Sequence, residues 1–453
     1  MSFELQFLGG AGTVTGSKYL LTVNNQNILI DCGLFQGLKN LRLKNWDPFP
    51  IEPSKISAIV LTHAHIDHSG YIPRLIAEGF QGKIYSTHAT RDLCKILLPD
   101  CGYLMEEEAA YLNRIKKTKH EPALPFFTIA QAEAALRFFE PVSFGKYQTL
   151  GSDFGFEFQY VGHILGAASV IVHVGDRKIG FTGDVGRLND PIFHAPAPLP
   201  GIDYLVTEST YGDRLHASTD MLDHLEKIIK QAYQKNGVIL IPAFAVGRSM
   251  LVMYCLSVLR KQNRIPSFPI FLNSPMATNS SDVFFEYKDL HKLSNEECRY
   301  IGQIVKYIQN QEESIALNGK KGPMLIISAS GMLTGGRILH HIKAFAPDPN
   351  NTILLTGYQT EGTRGHALIN GAKELKIHGA YVPINASVEA IDMSAHADYN
   401  EMLQWFAQSK IKPRKIFITH GAPSASDHFR LKLHDTFGWD CVIPEHQAKF
   451  VLE

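Results

Sequence analysis

Four potential metal ligands, His63, His65, Asp67 and His68, fall within the six residues 63 to 68 of the segment THAHIDHSG. The segment follows the apolar run AIVL, which reads as a strand. Side chains two apart on extended backbone point the same way, so His63 and His65 can share a face, while Asp67 and His68 open the next helix. Imidazole and carboxylate together suit zinc, and a borderline metal with an open coordination position is what hydrolysis requires. A single histidine at a polar helix start would be unremarkable, but this density of donors at one strand end points to metal.

One loop cannot comfortably complete two metal sites, and further donors stand at other strand ends. His163 follows FEFQYV in GHILGAAS, Asp184 follows KIG in FTGDVG, and His420 follows KIF in ITHGAP. Taken singly, each reads equally well as a capping aspartate or a hydrogen-bonded core histidine. Together they fit a two-metal site.

The elements that must position these residues alternate between strand and helix. FELQFLGG, YLLTVNNQNILIDCG, SAIVLTHAH, KIYSTH, FEFQYVGH, ASVIVHVG, KIGFTGD and DYLVTEST are short apolar or alternating runs, several ending in Gly, Asp or His. Polar groups at strand ends are the usual way a layered α/β scaffold builds a site. Residues 87 to 140 read as two helices separated by the Pro-rich EPALPFF. After Gly212 the pattern changes to helices such as MLDHLEKIIKQAYQKNG between apolar strands such as VILIPAFA, FPIFLNS, PMLIISAS and TILLTGYQ, the signature of a βαβ unit with a parallel sheet. From about residue 376, KIHGAYVPIN, a helix and KIFITHG return to strand-end histidines, which makes the middle part an insertion.

Composition bounds the rest. With 453 residues, 45% hydrophobic and 19% charged, the chain can bury two or three domain-sized cores. Its 44 basic and 44 acidic residues supply no overall field for a polyanion, so nucleic acid would have to be met by a local groove. Basic residues gather in KNLRLKN (39 to 45) and NRIKKTKH (113 to 120), although such runs are usually solvated faces. The six cysteines form no C-x-x-C pair, which argues against a disulfide framework or a thiolate metal site. No run is long enough to span a bilayer and the start MSFELQFLGG lacks the order of a signal peptide, so no membrane partner and a cytoplasmic location are expected. The glycines of GGAGTVTGSK fit no dinucleotide or P-loop pattern and read as a tight turn.

The spaced set LIDCG, HAHIDH, His163, Asp184, ESTYG, SAHAD and ITHG resembles the metallo-β-lactamase superfamily, and within it the β-CASP RNA nucleases typified by the cleavage subunit of the polyadenylation machinery and its short bacterial relatives. The resemblance implies an α/β fold, a metallo-β-lactamase αββα sandwich from residues 1 to 211 and 376 to 453, with a β-CASP domain inserted at 212 to 375. It places one zinc on His63, His65 and His163 and a second on Asp67, His68 and His420, with Asp184 bridging them; manganese is the alternative metal. Asp31 in LIDCG would orient the ligand loop. The nucleophile would be a hydroxide held between the ions, and Glu208 would hold His396 as the general acid at the leaving oxygen, so that Asp67, Asp184, Glu208 and His396 form the catalytic set.

Phosphate-holding groups are expected in the inserted domain. SASGMLTGGR follows the apolar strand PMLII and offers small residues, backbone N–H groups and a planar guanidinium, making Ser328, Ser330, Gly331 and Arg337 substrate candidates. Arg248 in PAFAVGRS and Arg364 in GYQTEGTRG likewise follow strands, although an ordinary salt bridge would explain either. The expected activity is a zinc-dependent ribonuclease, endonuclease or 5′ exonuclease, acting on single-stranded RNA that enters between the domains and leaving a 5′ phosphate; the sequence leaves the oligomeric state open, a homodimer among the options. The resemblance is to the minimal bacterial form, so an added KH module is not expected. The alternatives are an ester, thioester or lactone hydrolase of the same fold, which has no need of Arg337 or of the 208/396 pair, and a non-catalytic RNA-processing scaffold, which the complete ligand set disfavours. A DNA-repair nuclease is a weaker reading, since DNA-acting relatives usually lack the histidine found here as His420.

Overall fold

Apolar–polar alternation in FELQF and near-continuous apolar runs such as ASVIV become strands in the computed structural model, which describes residues 3–116, 118, 120–217 and 219–453. The chain forms two compact units, Met1–Leu215 with His396–Glu453, and His216–Ala395. The first unit opens with β1 (Phe3–Phe7), β2 (Tyr19–Val23), β3 (Gln26–Ile30), β4 (Ile56–Val60), β5 (Lys83–Ser86) and β6 (Phe139–Pro141). It continues through β7 (Gln148–Gly151), β8 (Phe154–Tyr160), β9 (Ala168–Val174), β10 (Arg177–Phe181) and β11 (Tyr204–Thr207). The second unit contributes β12 (Val238–Pro242), β13 (Ile270–Leu272), β14 (Val305–Tyr307), β15 (Met324–Ser328), β16 (Thr352–Thr356), β17 (Glu374–Ile377), β18 (Ala380–Pro383) and β19 (Ser387–Ile391). The first unit then resumes with β20 (Lys415–Ile418), β21 (Cys441–Val442) and β22 (Lys449–Leu452).

Among the described residues the first unit holds two seven-stranded sheets, ordered β22-β1-β2-β3-β4-β5-β6 and β21-β20-β11-β10-β9-β8-β7. In the first, β3 and β4 run parallel; in the second, β8 and β10 both run antiparallel to β9, and β10, β11 and β20 are parallel. The C-terminal ends of β8, β10, β11 and β20 therefore emerge along one edge. The two sheets face each other across one core, in which Leu5, Phe7, Leu21 and Val60 meet Phe156, Phe158, Val170, Phe181 and Phe417. The rings of Phe7 and Phe417 lie 5.2 Å apart and those of Tyr19 and Phe181 6.0 Å apart. Leu29 and Ile59 of the first sheet and Leu205 and Ile416 of the second are buried as well, so each sheet is also covered on its outer side. The covering helices include His88–Ile115 and Ile129–Ala135, the pair expected on either side of EPALPFF, and Tyr399–Ser409 and Pro423–Phe437. No helix among the described residues is long and apolar enough to cross a membrane. Of the two basic runs, 39 to 45 lies on the helix Lys39–Leu43 and the turn after it, whereas Lys117 and Lys119 of the other fall outside the described residues.

The second unit is built on a six-stranded parallel sheet, β14-β13-β15-β12-β16-β19, with a separate hairpin of β17 and β18. β12, β13, β15 and β16 are buried along their whole length, as a sheet covered on both faces requires. The strands after residue 376 differ from the sequence expectation: β19 pairs with β16 from Thr352↔Ser387 to Thr356↔Ile391, so residues 374 to 391 stay with the second unit and the first resumes at His396. Apolar alternation in KIHGAYVPIN identifies strands but not the sheet they join.

Phe158, fully buried between the two sheets of the first unit, should report the packing of that core. Phe158→Ala is expected to destabilise the unit by about 3–5 kcal/mol, read from the midpoint of denaturant unfolding at unchanged slope. A loss below about 1 kcal/mol would show that the core repacks around the gap.

Candidate metal centre

Six residues of the site sit just past the C-terminal end of a strand, Asp31 after β3, His63 after β4, His163 after β8, Asp184 after β10, Glu208 after β11 and His420 after β20, while His65, Asp67 and His68 lie at the start of the helix Ile66–Ser69 that follows β4. Strand direction thus gathers into one place residues separated by almost the whole chain. Three of them, Asp31, His163 and His420, have left-handed backbone with φ of +58°, +57° and +47°. Asp and His tolerate this region better than most side chains, and such strain gathers where surrounding contacts hold a functional group in place.

Two groups of donors result. In one, His65 Nδ1 lies 3.2 Å from both His63 Nε2 and His163 Nε2. Asp184 Oδ2 lies 3.3 Å from His63 Nε2 and 3.4 Å from His163 Nε2. In the other, His68 Nε2 and His420 Nε2 are 3.2 Å apart, and Asp67 Oδ2 is 3.4 Å from His420 Nε2. The remaining oxygen of Asp184, Oδ1, is 3.2 Å from His68 Nε2. Ligands about 2.0–2.1 Å from a tetrahedral zinc ion stand about 3.3–3.4 Å from one another, so these edges match the shell of a small divalent cation. Burial pushes His63 down to about 3 and His65 to about 4 and holds His163 well below its usual range, leaving neutral imidazoles; His68 is the exception, where burial is outweighed by the charges of Asp184 and Asp31, which hold it above its usual range. Burial opposes ionisation of Asp184 and Asp67, yet the neighbouring histidines, His420 foremost for each, hold both carboxyls below the usual range. Neutral imidazoles and ionised carboxylates are the forms that bind metal.

A shell of hydrogen bonds aims the donors. Asp31 accepts from Thr62 N at 2.8 Å, from Thr62 Oγ1 at 2.9 Å and from His68 Nδ1 at 2.7 Å, which turns His68 Nε2 toward the centre. Thr210 Oγ1 lies 3.0 Å from His420 Nδ1 and performs the same service there. His420 N–H donates to Gly10 O at 2.7 Å, so the glycine-rich turn of residues 9 to 16 packs beside the centre, in line with its reading as a turn. Gly33 allows the closest approach: a Cβ there would fall 1.6 Å from Asp67 O. Sequence reasoning misses Thr62 and Thr210; the one signal for them is adjacency, Thr62 standing before His63 and Thr210 two residues after Glu208.

Glu208 and His396 also meet. His396 Nδ1 lies 3.2 and 3.1 Å from the two oxygens of Glu208, and its ring is 4.6 Å from that of His163. Glu208 is fixed in turn by Val185 N, which donates to Oε1 at 2.5 Å. The SAHAD loop is anchored by Ala397 N, which donates to Val185 O at 2.8 Å, and by a capping box in which Asp398 and Glu401 start the helix Tyr399–Ser409.

In the second unit, the six substrate candidates differ in their commitments. Ser328 is fully buried and its Oγ donates to Asn273 O at 2.8 Å. Arg248 is buried and donates to Thr356 O, while Arg364 donates to Lys376 O, Leu333 O and Thr334 O at 2.9, 3.0 and 3.3 Å. Ser330 Oγ meets Thr334 Oγ1 at 2.8 Å, and Gly331 O accepts from Gln359 Nε2 at 3.2 Å. Arg337 Nη1 donates to Asn273 Oδ1 at 2.9 Å; the Asn273 amide is itself held by Ser314 Oγ at 2.8 Å and His341 Nε2 at 2.6 Å. The Asn273–His341 network carries no sequence signal beyond Asn273 standing at a strand end.

Comparison with known proteins bears on the family and the fold. Residues 11–211 match the family model of the metallo-beta-lactamase superfamily, 250–368 that of the Beta-Casp domain, and 381–444 that of the Zn-dependent metallo-hydrolase RNA specificity domain. The chain is 35% identical over 427 residues to Ribonuclease TTHA0252 of Thermus thermophilus, covering 91% of this chain and 92% of that protein. It is 31% identical to the transcription termination factor FttA of Methanosarcina mazei, covering 92% of this chain and 67% of the factor, and 28% identical to an RNase J-like protein of Methanocaldococcus jannaschii, covering 97% of each. A crystal structure of a protein of unknown function from Enterococcus faecalis shares the fold at a TM-score of 0.56 and 14% identity, over the full length of both chains. Fold and site together define a metal-dependent hydrolase. Within that class, the chain belongs to the β-CASP family of the metallo-β-lactamase superfamily.

Asp31→Asn replaces an acceptor by a group that must set an N–H donor against Thr62 or His68. Metal affinity, measured by competition with a chromophoric chelator, is expected to fall about 10- to 100-fold with the fold retained. Unchanged affinity would remove Asp31 from the role of orienting His68.

Proposed function

We propose that this protein is a zinc-dependent ribonuclease with two metal ions, acting on single-stranded RNA in RNA processing or decay in the cytoplasm. The observation that carries this reading is Asp184, whose two oxygens face two separate donor groups, with the Glu208–His396 pair packed against the same centre. In this reading His63, His65 and His163 would hold one ion and Asp67, His68 and His420 the other, with Asp184 available to both. Metal bound there supplies Lewis acidity and a nucleophilic water at neutral pH. Manganese satisfies the same mixed nitrogen and oxygen donors less specifically.

The chain's own residues supply the rest. Glu208 accepts from His396 Nδ1, which fixes the imidazole and makes Nε2 the nitrogen that carries the transferable proton to the leaving oxygen. An alkoxide leaving group needs that proton, whereas the thiolate of a thioester leaves without it. In the second unit Arg337, oriented by Asn273, and the Ser330–Gly331 loop are the proposed phosphate contacts; Ser328, Arg248 and Arg364 support them by holding the loop and neighbouring strand ends. Relatives named as a ribonuclease and as an RNase J-like protein support RNA as substrate.

The direct test is purified protein with 5′-labelled and internally labelled RNA, with and without chelator. Cleavage into fragments bearing 5′ phosphates, abolished by chelator and restored by zinc, is expected. Turnover of esters or lactones with RNA left intact would overturn the reading.

His396→Ala should keep both metals and most RNA affinity yet slow RNA cleavage by roughly 10²- to 10⁴-fold, the usual worth of a positioned general acid. A p-nitrophenyl phosphodiester, whose leaving group needs little protonation, should be spared most of that loss. Loss of a metal, or equal slowing of both substrates, would reassign His396 as a ligand or structural residue.

A further inference from the structure

The hairpin of β17 and β18 carries residues that the proposed chemistry does not use. Leu375 and Ile377 point into the second unit's core, so Lys376 takes the exposed face, where Tyr381 stands directly opposite it in the register. Lys376 Nζ lies 5.9 Å from the centroid of the Tyr381 ring, and Tyr381 is 64% exposed. The ring is thereby open to solvent with a cation beside it, free to accept a planar partner. Beyond β17, the ring of His378 lies 4.7 Å from that of His340 on the helix Ile338–Phe345, and Lys343 is exposed on the same helix.

The surroundings of this pair are cationic. Burial, followed by the charge of Lys343, holds His340 below its usual range; burial, then His340, Lys343 and Arg364, do the same for His378. No carboxylate appears among those influences. Glu374 is the acid that shares the exposed face of β17, and it stands at the far end, opposite Pro383. Arg364 ties the hairpin to the phosphate-holding loop, since its Nε donates to Lys376 O while Nη1 donates to Leu333 O and Thr334 O. The patch is therefore built as a continuation of the loop that carries Ser330 and Arg337. With 44 basic and 44 acidic residues the chain has no general attraction for a polyanion, so any grip on one must come from concentrated patches of this kind.

We propose that this face is an RNA-binding surface additional to the catalytic site, on which phosphates of a single strand lie along His340, Lys343, Lys376 and His378 and a base stacks on Tyr381. It rests on the ribonuclease reading and extends it. Two lysine cations and two imidazole donors beside an open aromatic face form an arrangement that binds single strands with little regard to sequence, because every base has a π-face and every nucleotide a phosphate.

The test uses the full-length, metal-loaded protein and a fluorescently labelled single-stranded RNA, with affinity measured over a range of salt. In the double variant Lys343→Ala/Lys376→Ala the slope of log K against log salt should become shallower by about 1.4, about 0.7 for each phosphate no longer neutralised. Tyr381→Ala should weaken binding roughly tenfold or more while leaving that slope in place, because stacking releases no counterions. Cleavage of long RNA should show a raised KM at unchanged kcat in both variants. An unchanged salt slope in the double variant, with wild-type binding intact, would overturn the surface while leaving the ribonuclease reading standing. Failure of the wild type to bind or cleave RNA would overturn that reading and this one with it. Binding of polyglutamate as tightly as RNA, lost equally in both variants, would reassign the face to an acidic protein.

Discussion

A buried carboxylate with three hydrogen bonds holds the centre of this protein in register. Asp31 is fully removed from solvent, and an ion so placed is tolerable only where donors surround it. Thr62 supplies two and His68 the third. Because Thr62 precedes His63 and His68 closes the same motif, one carboxylate sets the position of the strand end and of the helix start together. The close approach of Gly33 to Asp67 O then locks the loop after Asp31 against that helix. The three bonds account for the left-handed backbone at Asp31: the strain is offset by satisfying a charge that would otherwise be costly to bury.

The sheets extend that local arrangement across the chain. Parallel β3 and β4 bring Asp31 and His63 side by side, and the common direction of β8, β10, β11 and β20 delivers His163, Asp184, Glu208 and His420 to one edge. The core between the sheets is aromatic and continuous, which makes the edge a rigid mount rather than a set of independent loops.

Much of this was legible in the sequence, and the reason differs by residue. His63, His65, Asp67 and His68 declare themselves because their donors are local and dense. His163, Asp184 and His420 are single polar residues after apolar runs, individually ambiguous and informative only as a set. Glu208 and His396 lie 188 residues apart and are joined by a hydrogen bond that no local pattern encodes, so only the resemblance connected them. Thr62, Thr210 and Asn273 near strand ends and His341 on a helix escaped because threonines, asparagines and histidines have many ordinary uses, and it takes the fold to show which group each one holds. The assignment of residues 376 to 391 differed for a related reason: strand periodicity tells which face is buried but not which neighbour provides the hydrogen bonds, and β19 found its partner in β16.

Val185 gives the site a property that the ligands alone do not reveal. It is covalently joined to Asp184, its N–H holds Glu208, and its carbonyl holds Ala397 beside His396. One peptide residue therefore serves as a calliper, with the carboxylate that faces both donor groups on one jaw and the imidazole on the other. Its span is fixed by bond lengths and two hydrogen bonds, not by the sway of a loop. Such a gauge measures the reacting group alone and is indifferent to whatever is attached on either side, so any preference among substrates has to be written elsewhere on the molecule.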